Sequence, residues 1–166
     1  MSIHHKHLTD EDRAAIARCA SFEELGKLVA SIMKRHGGPF HVVSGPISTG
    51  GVGTREGNLK VFQAVIEYLA EKEGLLVFSQ IPFEDKLGEL VEAWKKKNPQ
   101  ADYPWPILHV FYDEFFSSGT VDTLHFIDGF RSSIGAVWEH DGCDQWRVKR
   151  RYLPRLLSEE LLAVQA

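Results

Sequence analysis

Short apolar runs alternate with longer amphipathic stretches along the chain. The runs "FHVVSG" at 40–45 and "LLVFSQ" at 75–80 are rich in β-branched and aromatic residues, which is typical of buried strands. Between them, residues 55–74 repeat apolar side chains at helical spacing and end on a glycine. Residues 40–80 therefore predict a strand, a glycine-rich loop, a helix and a second strand. This order is the βαβ unit of a parallel sheet with a right-handed crossover.

The rest of the chain also alternates between short apolar runs, which predict strands, and stretches with apolar residues at helical spacing. Thr9 and Ser21 precede acidic residues and apolar stripes, so we expect two N-terminal helices, the second with a Ser21–Glu24 capping box and a stop at Gly37. Further helices are predicted over 83–100, 104–119, 134–146 and 158–165, and further strands over 121–127 and 147–153.

Strands that alternate with helices predict the α/β class. We expect one domain over residues 1–166, with a three-layer, flavodoxin-like or Rossmann-like parallel sheet. Residues 1–38 are interpreted as an N-terminal helical addition and residues 39–166 as the core. In such sheets ligands bind beyond the carboxyl ends of the strands, where both the glycine-rich loop and the turn at 128–133 are expected.

Composition narrows the classes of partner. The net charge of −4 and the pI near 6.1 give no basic field, so a small molecule is favoured over long nucleic acid. Cys19 and Cys143 form no CxxC motif, and no apolar run has the length of a membrane span, so we expect a cytoplasmic protein without membrane contact. His4, His5 and His7 could bind a metal, but a polar terminus is the preferred interpretation, and no metal site is predicted.

The stretch "GPISTGGVGTREGN", residues 45–58, carries the first candidate chemistry. A glycine-rich turn between a strand and a helix offers backbone N–H groups and the positive end of the helix to an anion. Ser48, Thr49 and Arg55 could add donors. The stretch is neither a P-loop nor a GxGxxG motif, so a ligand cradle and a mobile connector both remain open.

The stretch "SSIGAVWEH", residues 132–140, carries the second. It places two hydroxyls and a glycine ahead of Glu139, early in a predicted helix that follows a strand. A carboxylate there can act as a nucleophile or base, while Ser132 or Ser133 holds an anion. The alternative is a solvent-facing glutamate that the helix dipole favours.

Taken in order, G-P-I-x-T-G-G, R-x-x-N and S-x-G-A-x-x-E resemble the nucleoside 2-deoxyribosyltransferase superfamily, which includes the deoxynucleoside 5'-monophosphate N-glycosidases, over residues 40–145. The resemblance implies that Glu139 attacks the anomeric carbon of deoxyribose. It also implies that Asp113, or Glu114 beside it, positions the sugar and protonates the leaving base. Ser133, six residues before the glutamate, is typical of the branch that holds a 5'-phosphate. The implied substrate contacts are Gly45, Ile47, Ser48, Thr49, Gly50, Gly51, Arg55, Asn58, Ser132, Ser133 and Gly135.

The implied activity is cleavage of an N-glycosidic bond, or deoxyribosyl transfer, on a small nucleoside or nucleoside 5'-monophosphate. The family needs no metal or organic cofactor, and its members often complete their sites as homodimers. This chain departs from the pattern by an insertion, "VGT", and by "HDGCDQWRVKRRY" after the glutamate. A catalytically silent nucleotide-binding or sensor domain is therefore the alternative function. The basic residues at 147–151 are interpreted either as a phosphate-recruiting patch or as a solvated edge strand.

Overall fold

The computed structural model describes residues 8–48 and 50–165. These residues form two compact units, one of 39–79 with 121–165 and one of 8–38 with 80–120. We call them the sheet unit and the helical unit. The N-terminal helices share the helical unit with residues 80–120.

The sheet unit is built on parallel strands. Strands β1 (Phe40–Ser44), β2 (Val121–Phe126) and β3 (Lys149–Tyr152) pair in the order β1-β2-β3. Every partner is parallel, as expected when helices cross between strands. The predicted mixed α/β class with a parallel sheet is confirmed.

Amphipathic helices complete the sheet unit. Helix α3 (Arg55–Glu71) contacts β1 and α7 (Arg155–Gln165), and α6 (Ile134–Trp146) contacts β2 and β3. The apolar stripe of α3 supplies the buried side chains that its helical spacing predicts. The core of this unit includes Phe40, Val42, Phe62, Val65, Ile66, Leu69, Leu124, Phe126, Ala136 and Cys143.

The predicted strand at 75–80 is wrong in extent. Only Val77 forms a bridge, parallel to His41, with hydrogen bonds from His41 N to Leu76 O (2.8 Å) and from Phe78 N to His41 O (2.9 Å). The chain then turns into a 3₁₀ helix at Ile81–Phe83, where a proline without an N–H stands in the first turn. The ladder beside β1 is therefore limited to one bridge.

The helical unit holds α1 (Asp10–Arg18), α2 (Phe22–His36), α4 (Glu84–Lys97) and α5 (Asp113–Phe116). The helix predicted over 104–119 is confirmed over 107–116, but its first part, Ile107–Tyr112, is π-helical and leads directly into α5. At the junction the Asp113 N–H is shared by two upstream carbonyls. None of the helices within the described residues combines the length and the apolar content of a membrane span.

Capping residues fix the starts of α1 and α2. Thr9 Oγ1 accepts from Asp12 N (3.0 Å) and Asp12 accepts from Thr9 N (2.8 Å), which completes a reciprocal capping box. At α2, Ser21 Oγ accepts from Glu24 N, but the Glu24 carboxylate accepts from the N–H of Ala20. The predicted Ser21–Glu24 box is therefore only half formed, although Ser21 is the N-cap as expected.

Candidate functional site

Asn58 holds the glycine-rich loop, residues 45–58, against the first turn of α3. Its side chain is 3% exposed, and its Nδ2 donates to Ile47 O (2.9 Å) and Gly50 O (3.2 Å). Its Oδ1 accepts from Val52 N (2.9 Å). Because both the Nδ2 and the Oδ1 of Asn58 are hydrogen-bonded to loop backbone, the side chain stabilises the conformation of the loop.

A second set of contacts ties this loop to the turn after β2. Gly51 N donates to Ser132 Oγ (3.0 Å), and Ser132 Oγ donates to Gly129 O (2.8 Å). Gly50 and Gly51 have φ angles of +70° and +62°, and a Cβ at Gly50 would lie 2.6 Å from Ser132 O. The predicted juxtaposition of residues 45–58 with the 128–133 turn is confirmed, and it depends on glycine's freedom at positive φ.

The carboxylate of Glu139 lies at the carboxyl end of β1. Ser44, the last residue of β1, donates from Oγ to Glu139 Oε2, and both side chains are buried, at 1% and 6% exposure. Cys143 Sγ donates to the Glu139 backbone carbonyl one turn later (3.3 Å). The solvent-facing alternative for Glu139 is therefore wrong, because the side chain turns inward to the strand end.

Several donors and hydroxyls that the sequence offered to a ligand are used by the chain itself. Ser133 is the N-cap of α6: its Oγ accepts from Ala136 N (3.2 Å) and the residue is 6% exposed. Gly53 N donates to Gly50 O (3.2 Å). With Gly51 N and Val52 N also engaged, three successive N–H groups of the glycine-rich loop are internally satisfied.

A cavity of about 470 Å³ opens at this edge of the sheet unit. We call it the α7 cleft, because α7 forms one wall and the glycine-rich loop and the turn after β2 form the others. Its lining residues are Pro46, Gly51, Val52, Asn58, Val61, Ile127, Asp128, Gly129, Ser132, Arg155, Ser158, Glu159 and Leu162. This volume lies within the range of small-ligand sites. Glu139 is not among the lining residues.

The other described residues that were predicted to contact a substrate do not line the α7 cleft. Ser48 and Arg55 are exposed on the loop and at the first position of α3, and Gly135 is half-buried at the second position of α6. Gly45 follows β1 directly, where a Cβ would lie 3.0 Å from the Ile127 side chain. Thr49 lies outside the described residues.

Asp113 and Glu114, the candidates for the acid, are in the helical unit. Asp113 opens α5, and both side chains are half-buried. Their assignment to the reaction stays a prediction.

The basic segment forms ion pairs on β3 and beside it. Arg150 Nη1 lies 2.7 Å from Asp144 Oδ1, and Arg151 binds Glu73 through two bonds of 2.6 and 2.7 Å. Arg147 ends α6 with a φ of +58°. The edge-strand interpretation of this segment is therefore supported.

Sequence reasoning missed Ser44, Asp128 and Ser158. Ser158 Oγ is buried without a hydrogen-bond partner among the described residues, and it lines the α7 cleft. Asp128 is exposed and follows β2 at the same edge. Their positions in the sequence could have indicated Ser44 and Asp128, because both lie at the carboxyl ends of predicted strands, where ligands of parallel sheets bind.

Comparisons with protein-family models, with curated proteins and with solved structures found no match for this chain.

Proposed function

We propose that this protein cleaves the N-glycosidic bond of a small nucleoside or nucleoside 5'-monophosphate, or transfers its deoxyribosyl group, with Glu139 as nucleophile. The observation that carries the proposal is the hydrogen bond from Ser44 to Glu139, which fixes a carboxylate at the end of a parallel strand. Ligands of open α/β sheets bind at this edge.

The strand order supports the finer fold assignment within this proposal. The bridge at Val77 extends the sheet on the free side of β1, so that the order becomes 77-β1-β2-β3. This is the 2-1-3-4 order with which flavodoxin-like, doubly wound sheets begin. Its switch point falls between β1 and β2, whose ends lead into the glycine-rich loop and the 128–133 turn. We assign the fold as Rossmann-like on this basis.

The chemistry needs one carboxylate at the anomeric carbon. An oxygen of Glu139 forms a bond to that carbon while the C–N bond breaks, and the electron pair leaves with the base, which takes a proton from an acid. Water then attacks the glycosyl ester in hydrolysis, or a second base attacks it in transfer, and free Glu139 is restored.

The second candidate is a nucleotide-binding domain without turnover. The burial of Glu139 at 6% exposure favours it, because a nucleophile must reach its substrate.

The deciding experiment incubates the protein with a panel of 2'-deoxynucleosides and their 5'-monophosphates and measures free base by chromatography. Glu139→Gln, which keeps the side-chain shape, should reduce base release by a factor of at least about 100. Glu92→Gln, an exposed glutamate of α4, is the control and should match the wild type. Asp113→Asn and Glu114→Gln then test which residue is the acid.

A mass increase of Glu139 by one deoxyribosyl group after acid quenching would support the covalent route. Base release by Glu139→Gln within tenfold of the wild type would refute the nucleophile assignment. Ligand binding without any base release would favour the silent domain.

A further inference from the structure

The lining of the α7 cleft carries more negative than positive charge. Asp128 and Glu159 contribute carboxylates, and Arg155 contributes the only guanidinium among the described lining residues. Arg155 Nε already donates to Glu159 Oε1 (2.9 Å). A dianionic phosphate in this cleft would face two carboxylates and a single guanidinium, which is already paired with one of them. The net negative charge of the lining would therefore repel it.

The backbone of the glycine-rich loop offers few N–H groups that could stabilise a phosphate against this negative charge. The N–H groups of Gly51, Val52 and Gly53 donate within the protein, and Ser132 Oγ is engaged with Gly51 and Gly129. Phosphate sites on glycine-rich loops depend on such N–H groups pointing at the ligand. In this loop three of them are turned to other partners.

The polar groups that remain suit hydroxyls. Asp128 is an exposed acceptor, and Ser158 Oγ is a buried hydroxyl without a partner among the described residues. Carboxylates and hydroxyls bind sugar hydroxyls well, because an O–H can donate to an ionised oxygen in a charge-assisted bond. Pro46, Val52 and Ile127 add apolar wall for a flat ring.

We propose that the α7 cleft binds an uncharged nucleoside in preference to its 5'-monophosphate, and that Asp128 determines this preference. The proposal rests on the proposed function and narrows its substrate class. Glu139 does not line the cleft but adjoins it, because the lining residue Ile127 donates its N–H to the carbonyl of Ser44 (2.9 Å), whose hydroxyl holds Glu139. It reverses the phosphate preference that Ser133 implied, because the Ser133 hydroxyl caps α6 and the residue is buried.

Calorimetric titration of the full chain with 2'-deoxynucleosides, the matching monophosphates and inorganic phosphate tests this preference. We expect the nucleoside to bind at least about tenfold more tightly than its monophosphate, and inorganic phosphate not to compete. Asp128→Asn should reduce the difference in affinity between nucleoside and monophosphate several-fold, because it strengthens monophosphate binding. Glu71→Gln removes the same charge from an exposed position that does not line the cleft, and should leave this difference unchanged.

Ser158→Ala provides a second variant. It removes a hydroxyl without a partner, so it should weaken nucleoside binding several-fold without lowering the thermal midpoint of unfolding.

Each outcome decides one of the two proposals. Monophosphate binding equal to or tighter than nucleoside binding overturns the charge preference, and the proposed function survives if base is still released. Nucleoside binding with the expected preference but without base release refutes the glycosidase and leaves the preference standing. No nucleoside binding at all overturns the preference.

Discussion

His41 and His125 lie side by side on adjacent strands, with Nδ1 of His41 2.8 Å from Nε2 of His125. His125 is 2% exposed, and burial lowers its pKa from 6.5 to about 4; the pKa of His41 is also lowered, mainly by burial. The pair is therefore neutral at pH 7, with one ring donating and the other accepting. The Nδ1 of His125 has no partner among the described residues.

This pair predicts that stability falls as the solution is acidified below pH 6.5. In that window the unfolded chain protonates its histidines while folded His125 stays neutral down to about pH 4, so unfolding takes up a proton. His125 alone should lower the free energy of unfolding by about 3 kcal/mol between pH 6.5 and about pH 4. Urea unfolding across the window measures the slope, which His125→Leu should reduce. If His125→Leu leaves this slope unchanged, the pH dependence of stability arises from other groups. His36→Gln, which changes a histidine outside the pair, is the control.

Gly51 and Gly53 form a matched pair on the glycine-rich loop. Both have positive φ, but a Cβ at Gly51 would lie 2.8 Å from Pro46 Cβ, whereas one at Gly53 meets nothing within 4 Å. Gly53→Ala should cost about 1–2 kcal/mol of unfolding free energy from backbone strain alone. Gly51→Ala adds the collision and should cost about 1–3 kcal/mol more. Equal losses in denaturant titrations would contradict this packing.

Asn58→Ala should loosen the glycine-rich loop. The change removes the Asn58 partner of Val52 N and of Ile47 O, and it leaves Gly50 O with one donor, Gly53 N, instead of two. We therefore expect the free energy of unfolding to fall by about 1–3 kcal/mol. Limited proteolysis should then cut within residues 45–58 faster than in the wild type. Ser48→Ala, at an exposed position of the same loop, should change stability by less than about 0.5 kcal/mol. Unchanged proteolysis of Asn58→Ala would show that the loop holds its shape without the amide.

Cys143 should resist thiol reagents in the folded protein. Burial raises the pKa of its thiol to about 11, and the side chain is fully buried in α6. Cys19 is half-buried, so a thiol titration at mild alkaline pH should show one accessible group and a second one only after unfolding. Cys143→Ala should remove the second group. Two fast thiols in the native state would mean that α6 opens readily.

Local patterns predicted the elements of this fold better than its site. Thr9 and Ser21 cap helices as their spacing indicates, and β1 and β2 match apolar runs between chain breakers. The bond between Ser44 and Glu139 joins positions far apart in sequence, so no local period reports it. The hydroxyl of Ser133 is read equally well as a ligand contact or a helix cap, and only the fold shows that it serves the cap.

The parallel pairing of β1 with β2 also bears on how the chain folds as it leaves the ribosome. Phe40 pairs with Val121, so β1 is synthesised roughly 80 residues before the strand that completes its ladder. Closing so long a loop slows folding, and an unpaired apolar strand can associate with other chains in the meantime. Until residue 121 emerges, the bridge to Val77 is the only strand contact available to β1 among the described residues. Chains truncated before β2 should therefore aggregate rather than persist as a smaller folded species.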